Sequence, residues 1–253
     1  MGINFFKSKA KPNASIKKLN LPSVTLAALA STNIEETVKS LLFSSRDINF
    51  GEILLISHER PKFLPEKIKY REIKEIDSYE RYNYHVTYSL QHYIETSHVL
   101  LVQHDGFVIN SDSWSGSFLE YDYIGAPFPI PRDNFSYRDD LGRLVRVGNG
   151  GFSLRSKLIL QAPDKLRLIW ESFHGYFHED GFLCCKNRSA LEGFGVKFAP
   201  INVAAQFSME TKVDENKSLA PFGTHGVQNL KKYKKNIEKY VLNLKKEISN
   251  DSD

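Results

Sequence analysis

The stretch HVLLVQHDGFVIN, residues 98–110, decides how this chain folds. Its first five residues are too continuously apolar for a half-exposed strand and read as one buried on both faces. The run then breaks into Gln103, His104, Asp105 and Gly106 before turning apolar again. Taken alone, an Asp-Gly pair reads as a turn joining two strands. At the carboxyl end of a strand in a parallel α/β sheet, it would instead stand where ligands collect.

The sequence upstream favours the second setting. LPSVTLAALAS, residues 21–31, reads as a first strand. A helix follows, with Asn33 and Glu36 spaced as a capping box and Ile34, Val38, Leu41 and Leu42 on one apolar face. EILLIS, residues 52–57, is again a doubly buried strand, so strand, helix and strand form a βαβ unit. IKYREIKEI supplies a third strand, and an amphipathic helix over 78–96 leads into His98. The alternation predicts a single α/β domain with a largely parallel central sheet flanked by helices.

Downstream, DYIGAPFP reads as a short strand, and IPRDNFSYRDDLGRLVR as a mobile polar loop. In VGNGGFSLRS, residues 147–156, the glycines beside Asn149 allow positive φ or close approach of the backbone to a ligand. The motif is neither a Walker loop nor GxGxxG. Glu179 and Asp180 open the next helix, where the dipole alone favours acids. His225, in PFGTHG, falls after the folded part should be complete.

Composition excludes several classes. With 253 residues, 41% hydrophobic and 25% charged, the chain has the profile of an ordinary soluble globular protein. No apolar run suits a membrane span or signal peptide, so a cytoplasmic location is expected. The adjacent Cys184 and Cys185 suit a reducing compartment. The net charge of +4 comes from lysine-rich ends, residues 1–20 and 227–253. These read as a tail and a surface helix with Leu230, Tyr233, Ile237, Tyr240, Val241 and Leu244 as its apolar stripe. Attraction to an anionic membrane is the sharper alternative. Basic and aromatic residues do not interleave as a nucleic-acid motif, so no nucleic-acid partner is expected.

In order, VTLAALASTNIEETVKSLLFSSRDINFGEILLIS, VLLVQHDGFVIN, YDYIGAPFP, VGNGGFSLRS, HEDGFLC, GVKFAPINVAAQFSME and PFGTHG resemble a family of glycosyltransferase-like domains from bacterial polysaccharide gene clusters, long carried as a domain of unknown function. The match runs from about residue 21 to 226 and implies a GT-A-type, Rossmann-like nucleotide-sugar glycosyltransferase. It places VQHDGFVI at the Asp-x-Asp signature, with Asp105 as the second acid and Gln103 in place of the first. It implies a divalent cation, Mn²⁺ or Mg²⁺, held by Asp105 and His225, although the neutral Gln103 departs from the pattern. Thr32, Asn33, Ser57, His58, Gln103, His104, Asp105 and Gly106 would bind the donor, a UDP-sugar. Asn149, Gly150 and Gly151 would meet the donor sugar or acceptor. Asp180 would be the general base of an inverting transfer to a glycan or lipid-linked acceptor, with Glu179 orienting the acceptor or supporting the loop. The rival is a catalytically silent nucleotide-sugar or glycan-binding module.

Other chemistries fit less well. His174 and His178 would share a face if helical, but with Cys184 and Cys185 they match no familiar zinc spacing. A serine hydrolase would need G-x-S-x-G, which is missing. Trp114 reads as core or loop packing rather than a sugar platform.

Overall fold

In a computed structural model of the chain, residues 18–250 are described; the tail expected over 1–20 therefore lies almost wholly outside them. Strand β1 (Leu19–Ala30) is followed by helix α1 (Ile34–Ser44), β2 (Ile48–Ser57) and β3 (Lys69–Glu72). Helix α2 (Tyr79–Tyr84) continues as π and 3₁₀ turns to Tyr93, and β4 (His98–Val102) returns beside β1. The main sheet has the order β3-β2-β1-β4-β7-β6, where β6 is Tyr123–Ile124 and β7 is Phe152–Ser156. β3, β2, β1 and β4 run parallel, while β7 is antiparallel to both its neighbours.

Alternation along the buried strands explains the layers. Leu26, Ala28, Leu55, Leu100 and Val102 face one core with Val38, Leu41 and Leu42 of α1. Ala27, Leu29, Leu54, Ile56, Val99 and Leu101 face the other, under Val86 and Leu90. Both faces are covered, which is why these strands carry no polar stripe. The chain steps outward from β1 to β3, then restarts at β4 on the opposite side of β1. That reversal opens a crevice beyond the carboxyl ends of β1 and β4.

Helix α3 (Lys157–Lys165) follows β7, its amino end capped by the Ser156 hydroxyl, which accepts from the N–H groups of Leu158 and Ile159. The short α4 (Glu179–Gly181) runs through a π turn towards α5 (Arg188–Gly193), and α6 is Ile201–Phe207. A second sheet, β5-β9-β8, is built from Phe107–Val108, Gly223–Thr224 and Ser208–Met209. It brings the PFGTHG segment back beside residues 105–108, so His225 belongs to the folded body rather than following it. The last helix, α7 (Val227–Asn250), lays Ile237 and Val241 against the body, and its Tyr233 and Tyr240 rings meet Phe107 and Phe43 edge-on.

Two local expectations are corrected. Asn33 is left-handed (φ 53°) and its side chain caps nothing. Its carbonyl instead accepts from the Thr37 N–H and hydroxyl, while Glu36 pairs with Lys39. The capping box fails because Asn tolerates the left-handed turn that carries the chain from β1 into α1. His174 and His178 are not on a helix: Phe173 and Tyr176 pair across a tight turn whose central residues, His174 and Gly175, have φ of 51° and 82°. Cys184 and Cys185 are buried in an apolar cluster. Trp114 packs edge-on against Phe118 and Phe222, as expected of a packing residue. Among the described residues no helix is long and apolar enough to cross a membrane.

Candidate active site

The crevice at the sheet reversal is a cleft of about 350 Å³, lined by Thr32 and its neighbours after β1, by Gln103 and His104 after β4, and by Asp77, Tyr79 and Tyr82 from the start of α2. Asn33 and His58 line an adjoining depression that also reaches Thr32. Ser57 is fully buried, donates its hydroxyl to the Glu59 carbonyl and lines neither space. Among the described residues no lysine or arginine lines the cleft.

Beside the cleft, three side chains converge. The Gln103 amide oxygen lies 3.2 Å from His225 Nε2, and Asp105 Oδ1 also lies 3.2 Å from that nitrogen. Gln103 Nε2 donates to Tyr82 Oη at 3.0 Å, which turns the amide oxygen towards His225. On the far side of the ring, His225 Nδ1 lies 3.3 Å from Glu210 Oε1. Asp105 and His225 are thus at charge-contact distance, yet Asp105 Oδ1 and His225 Nδ1 have no aligned hydrogen-bond partner and are buried. Burial opposes an imidazolium here, but the Asp105 and Glu210 carboxylates outweigh it and raise the His225 pKa to about 9. Asp105 is lowered from its ordinary value, again against burial, by the same His225 contact.

This donor set fits a hard divalent cation. Neighbouring ligands on an octahedral ion with bonds near 2.1 Å stand about 3 Å apart, close to the spacing of the oxygens from Nε2. The unsatisfied Oδ1 supplies the charge, the Gln103 oxygen needs none, and Glu210 faces the other ring nitrogen as an orienting carboxylate does in histidine metal sites. Among the described residues no group of three or more His, Cys, Asp and Glu side chains is arranged to hold a metal. The set here has two such side chains and an amide.

The glycine-rich segment ties this cluster to the acids. Asn149, not a glycine, takes the left-handed conformation (φ 64°), which turns its backbone N–H to Asp180 Oδ2 at 3.0 Å. Its side chain accepts from the Gly151 N–H at 3.1 Å and donates to Glu210 Oε2. The glycines serve close approach: a Cβ on Gly150 would land on the Glu179 carboxylate, and one on Gly151 on the His225 ring. Gly106 lies against the Gly151 carbonyl in the same way.

The two acids differ. Glu179 is buried and bonded at 2.7 Å to Arg155, itself fully buried on β7, while its N–H donates to Asn83 Oδ1. Asp180 Oδ1 accepts from the Gly181 N–H at 2.8 Å, and burial together with the neighbouring Glu179 charge raises its pKa to about 6. Neither acid lines the cleft itself; Asp180 is linked to the His225 cluster beside it through Asn149 and Glu210. Sequence reasoning missed Tyr82, Asn83, Arg155 and Glu210. Glu210 sat unremarked at the end of GVKFAPINVAAQFSME, where no motif marks a carboxylate that will face a histidine fifteen residues later.

The chain aligns in structure with solved glycosyltransferases. A crystal structure of an active-site mutant of LgtC matches 80% of this chain and 87% of its own at 10% identity, with a TM-score of 0.50. Galactosyltransferase LgtC in complex with donor and acceptor sugar analogs matches the same shares at 12% identity and a TM-score of 0.48. The mannosyltransferase PcManGT from Pyrobaculum calidifontis, in complex with GDP-Man and Mn²⁺, matches 74% of this chain and 57% of its own at 9% identity and a TM-score of 0.41. No curated protein matches the chain by sequence. The mixed α/β body with its mostly parallel six-stranded sheet is GT-A-like. A family model matches residues 66–225, a span that runs from before β3 to His225 and holds Gln103, Asp105, Asn149, Asp180 and Glu210: the chain belongs to the family described as Protein of unknown function (DUF5672).

Proposed function

We propose that this chain is a glycosyltransferase that moves a sugar from a nucleotide-sugar donor, a UDP-sugar, to a glycan or lipid-linked acceptor in polysaccharide biosynthesis. The observation that carries this reading is the convergence of Gln103, Asp105 and His225 at the mouth of the sheet-reversal cleft, with Asp180 tethered to the same cluster through Asn149 and Glu210. Residues 21–226 form the transferase body. Thr32, His104 and Tyr82 shape the nucleoside end of the cleft, with Asn33 and His58 beside it.

Asp105, the Gln103 oxygen and His225, the last after giving up its Nε2 proton, would hold Mn²⁺ or Mg²⁺, which when bound supplies positive charge to a departing diphosphate. Tyr82 and Glu210 keep the Gln103 oxygen and His225 Nε2 turned inward. Asp180, with a pKa of about 6, is ionised at neutral pH and basic enough to take the acceptor hydroxyl proton during direct, inverting displacement. Asn149 holds that carboxylate by its backbone N–H, and Arg155 with Glu179 fixes the turn from which it projects. The lysine face of α7 is a second contact surface, towards anionic lipid.

The neutral Gln103 favours one rival, a binding module without turnover. Titrating the chain with UDP- and GDP-sugars, with and without Mn²⁺, and following slow donor hydrolysis separates them. The transferase reading expects Mn²⁺-dependent donor binding and Mn²⁺-stimulated hydrolysis. Binding with no hydrolysis and no transfer to any acceptor would favour the module.

A further inference from the structure

A rim of exposed aromatic rings leads away from Asp180. It begins at Tyr79, which lines the donor cleft, is 59% exposed, and shares a 2.7 Å hydrogen bond with His178 Nδ1, two residues before Asp180. The Tyr176 ring, 66% exposed, lies 5.6 Å from the His178 ring. Across the tight turn, His174 lies 5.4 Å from Phe135, which is 59% exposed on the loop after β6. That loop is held in place by the Asp133 carboxylate, which accepts from the N–H groups of Phe135 and Ser136 and from the Ser136 hydroxyl.

Such an arrangement costs stability. Large apolar rings on a protein surface are ordinarily scattered singly, and a run of them marks a binding surface. His174 also adopts the left-handed conformation, unfavourable for a residue with a Cβ, to make the turn that brings its ring towards Phe135.

We propose that this rim, Tyr79, His178, Tyr176, His174 and Phe135, is the acceptor subsite and that its ligand is an oligosaccharide chain; the assignment of its end at Asp180 rests on the transferase reading. The chemistry of the rim selects a sugar over an acyl chain. A pyranose has apolar C–H faces and polar hydroxyl edges, so it stacks on a ring while bonding to a polar group beside it. Each ring here carries or touches such a group: the Tyr79 and Tyr176 hydroxyls and the two imidazoles. Among the described residues His178 Nε2 has no hydrogen-bond partner, which leaves it for a hydroxyl next to the one Asp180 would deprotonate. An acyl chain would desolvate these polar edges and return nothing to them.

The test uses the whole chain on a printed array of oligosaccharides, followed by calorimetry with the tightest binder. Phe135→Ala and Tyr176→Ala, both at exposed positions and checked by thermal melting, should each weaken binding by roughly tenfold, about 1.4 kcal/mol, and together by roughly a hundredfold or more. Tyr176→Trp, which keeps a ring, should restore it. No oligosaccharide bound by the wild type, or one bound equally by the double variant, overturns the rim. Calorimetry of UDP-sugars on the wild-type chain keeps the two readings apart. Donor binding without ring-dependent glycan binding rejects the rim alone; ring-dependent glycan binding without donor binding upholds the rim and rejects the transferase.

Discussion

Asp105 is buried and Asp180 partly buried, and their surroundings push the two carboxyls in opposite directions. Burial opposes a charged Asp105, but His225 outweighs it and draws the carboxyl below its ordinary value, which favours the ionised form a cation ligand needs. Asp105→Asn should lower the melting temperature in the presence of EDTA, because it takes a carboxylate partner from the buried His225, and should remove the further stabilisation that Mn²⁺ gives the wild type. An equal Mn²⁺ shift in melting for both proteins would remove Asp105 from the cation site. Asp180 is instead raised from 3.8 to about 6 by burial and the Glu179 charge. A carboxyl with a raised folded pKa takes stability away as pH climbs between the two values, because the unfolded chain ionises first. Asp180→Asn should therefore melt higher than the wild type above about pH 6 and equally near pH 4. The same residue as general base predicts turnover that falls as pH drops through about 6, and an Asn variant slower by roughly 100-fold with donor affinity kept. A variant that transfers sugar at the wild-type rate would leave Asp180 with a structural role only.

At the scale of elements, the site depends on how closely the 147–156 segment meets β9 and α4. Gly151→Ala would drive a methyl group into the His225 ring. Overpacking of this kind costs roughly 1–3 kcal/mol, and here it should also displace His225 and lower Mn²⁺ affinity more than Gly116→Ala, where a methyl group would meet open space, does. Calorimetry with Mn²⁺ on the two variants decides this; equal affinities would mean that the close approach does not hold the ring. Much of this architecture is legible in the chain, because β1, β2 and β4 are apolar without interruption and their polar exits at Thr32, Ser57 and Gln103 mark one edge of the sheet. Gly150 and Gly151, expected to meet a ligand, lie instead against the Glu179 and His225 side chains, and the positive φ falls on Asn149. The capping box at Asn33 failed because a spacing rule cannot tell an extended cap from a left-handed one. Tyr82 and Glu210 were invisible for another reason: they meet Gln103 and His225 only through the packing of α2 and β8 around the cleft, and neither lies in a pattern that names its partner.

The whole molecule is electrically lopsided. Residues 1–20 contain five lysines and no acid, α7 contains seven lysines against two glutamates, and the body between them carries net negative charge. On α7 the apolar side is already committed to the body through Ile237, Val241 and the Tyr233 and Tyr240 rings, so the helix has little left to insert into a bilayer. Lys232, Lys235, Lys239 and Lys246 fall on the opposite side at helical spacing, all exposed and without an ion pair among the described residues. Twenty-four residues make a helix about 36 Å long. It starts directly after His225, so a surface that held this lysine stripe would keep the cleft at its margin, within reach of an acceptor carried on lipid. Each lysine near an anionic leaflet contributes about 1 kcal/mol, so replacing all four with glutamate should weaken binding to phosphatidylserine vesicles by at least about 100-fold. Raised salt should release the wild type in the same way, because the attraction is screened rather than hydrophobic. Co-sedimentation with phosphatidylserine and with phosphatidylcholine vesicles measures this, with donor binding of the variant as a check on its fold. Vesicle binding that survives both the four substitutions and high salt would mean that some other part of the chain meets the membrane, and absence of binding in the wild type at low salt would confine α7 to covering Phe43 and Phe107.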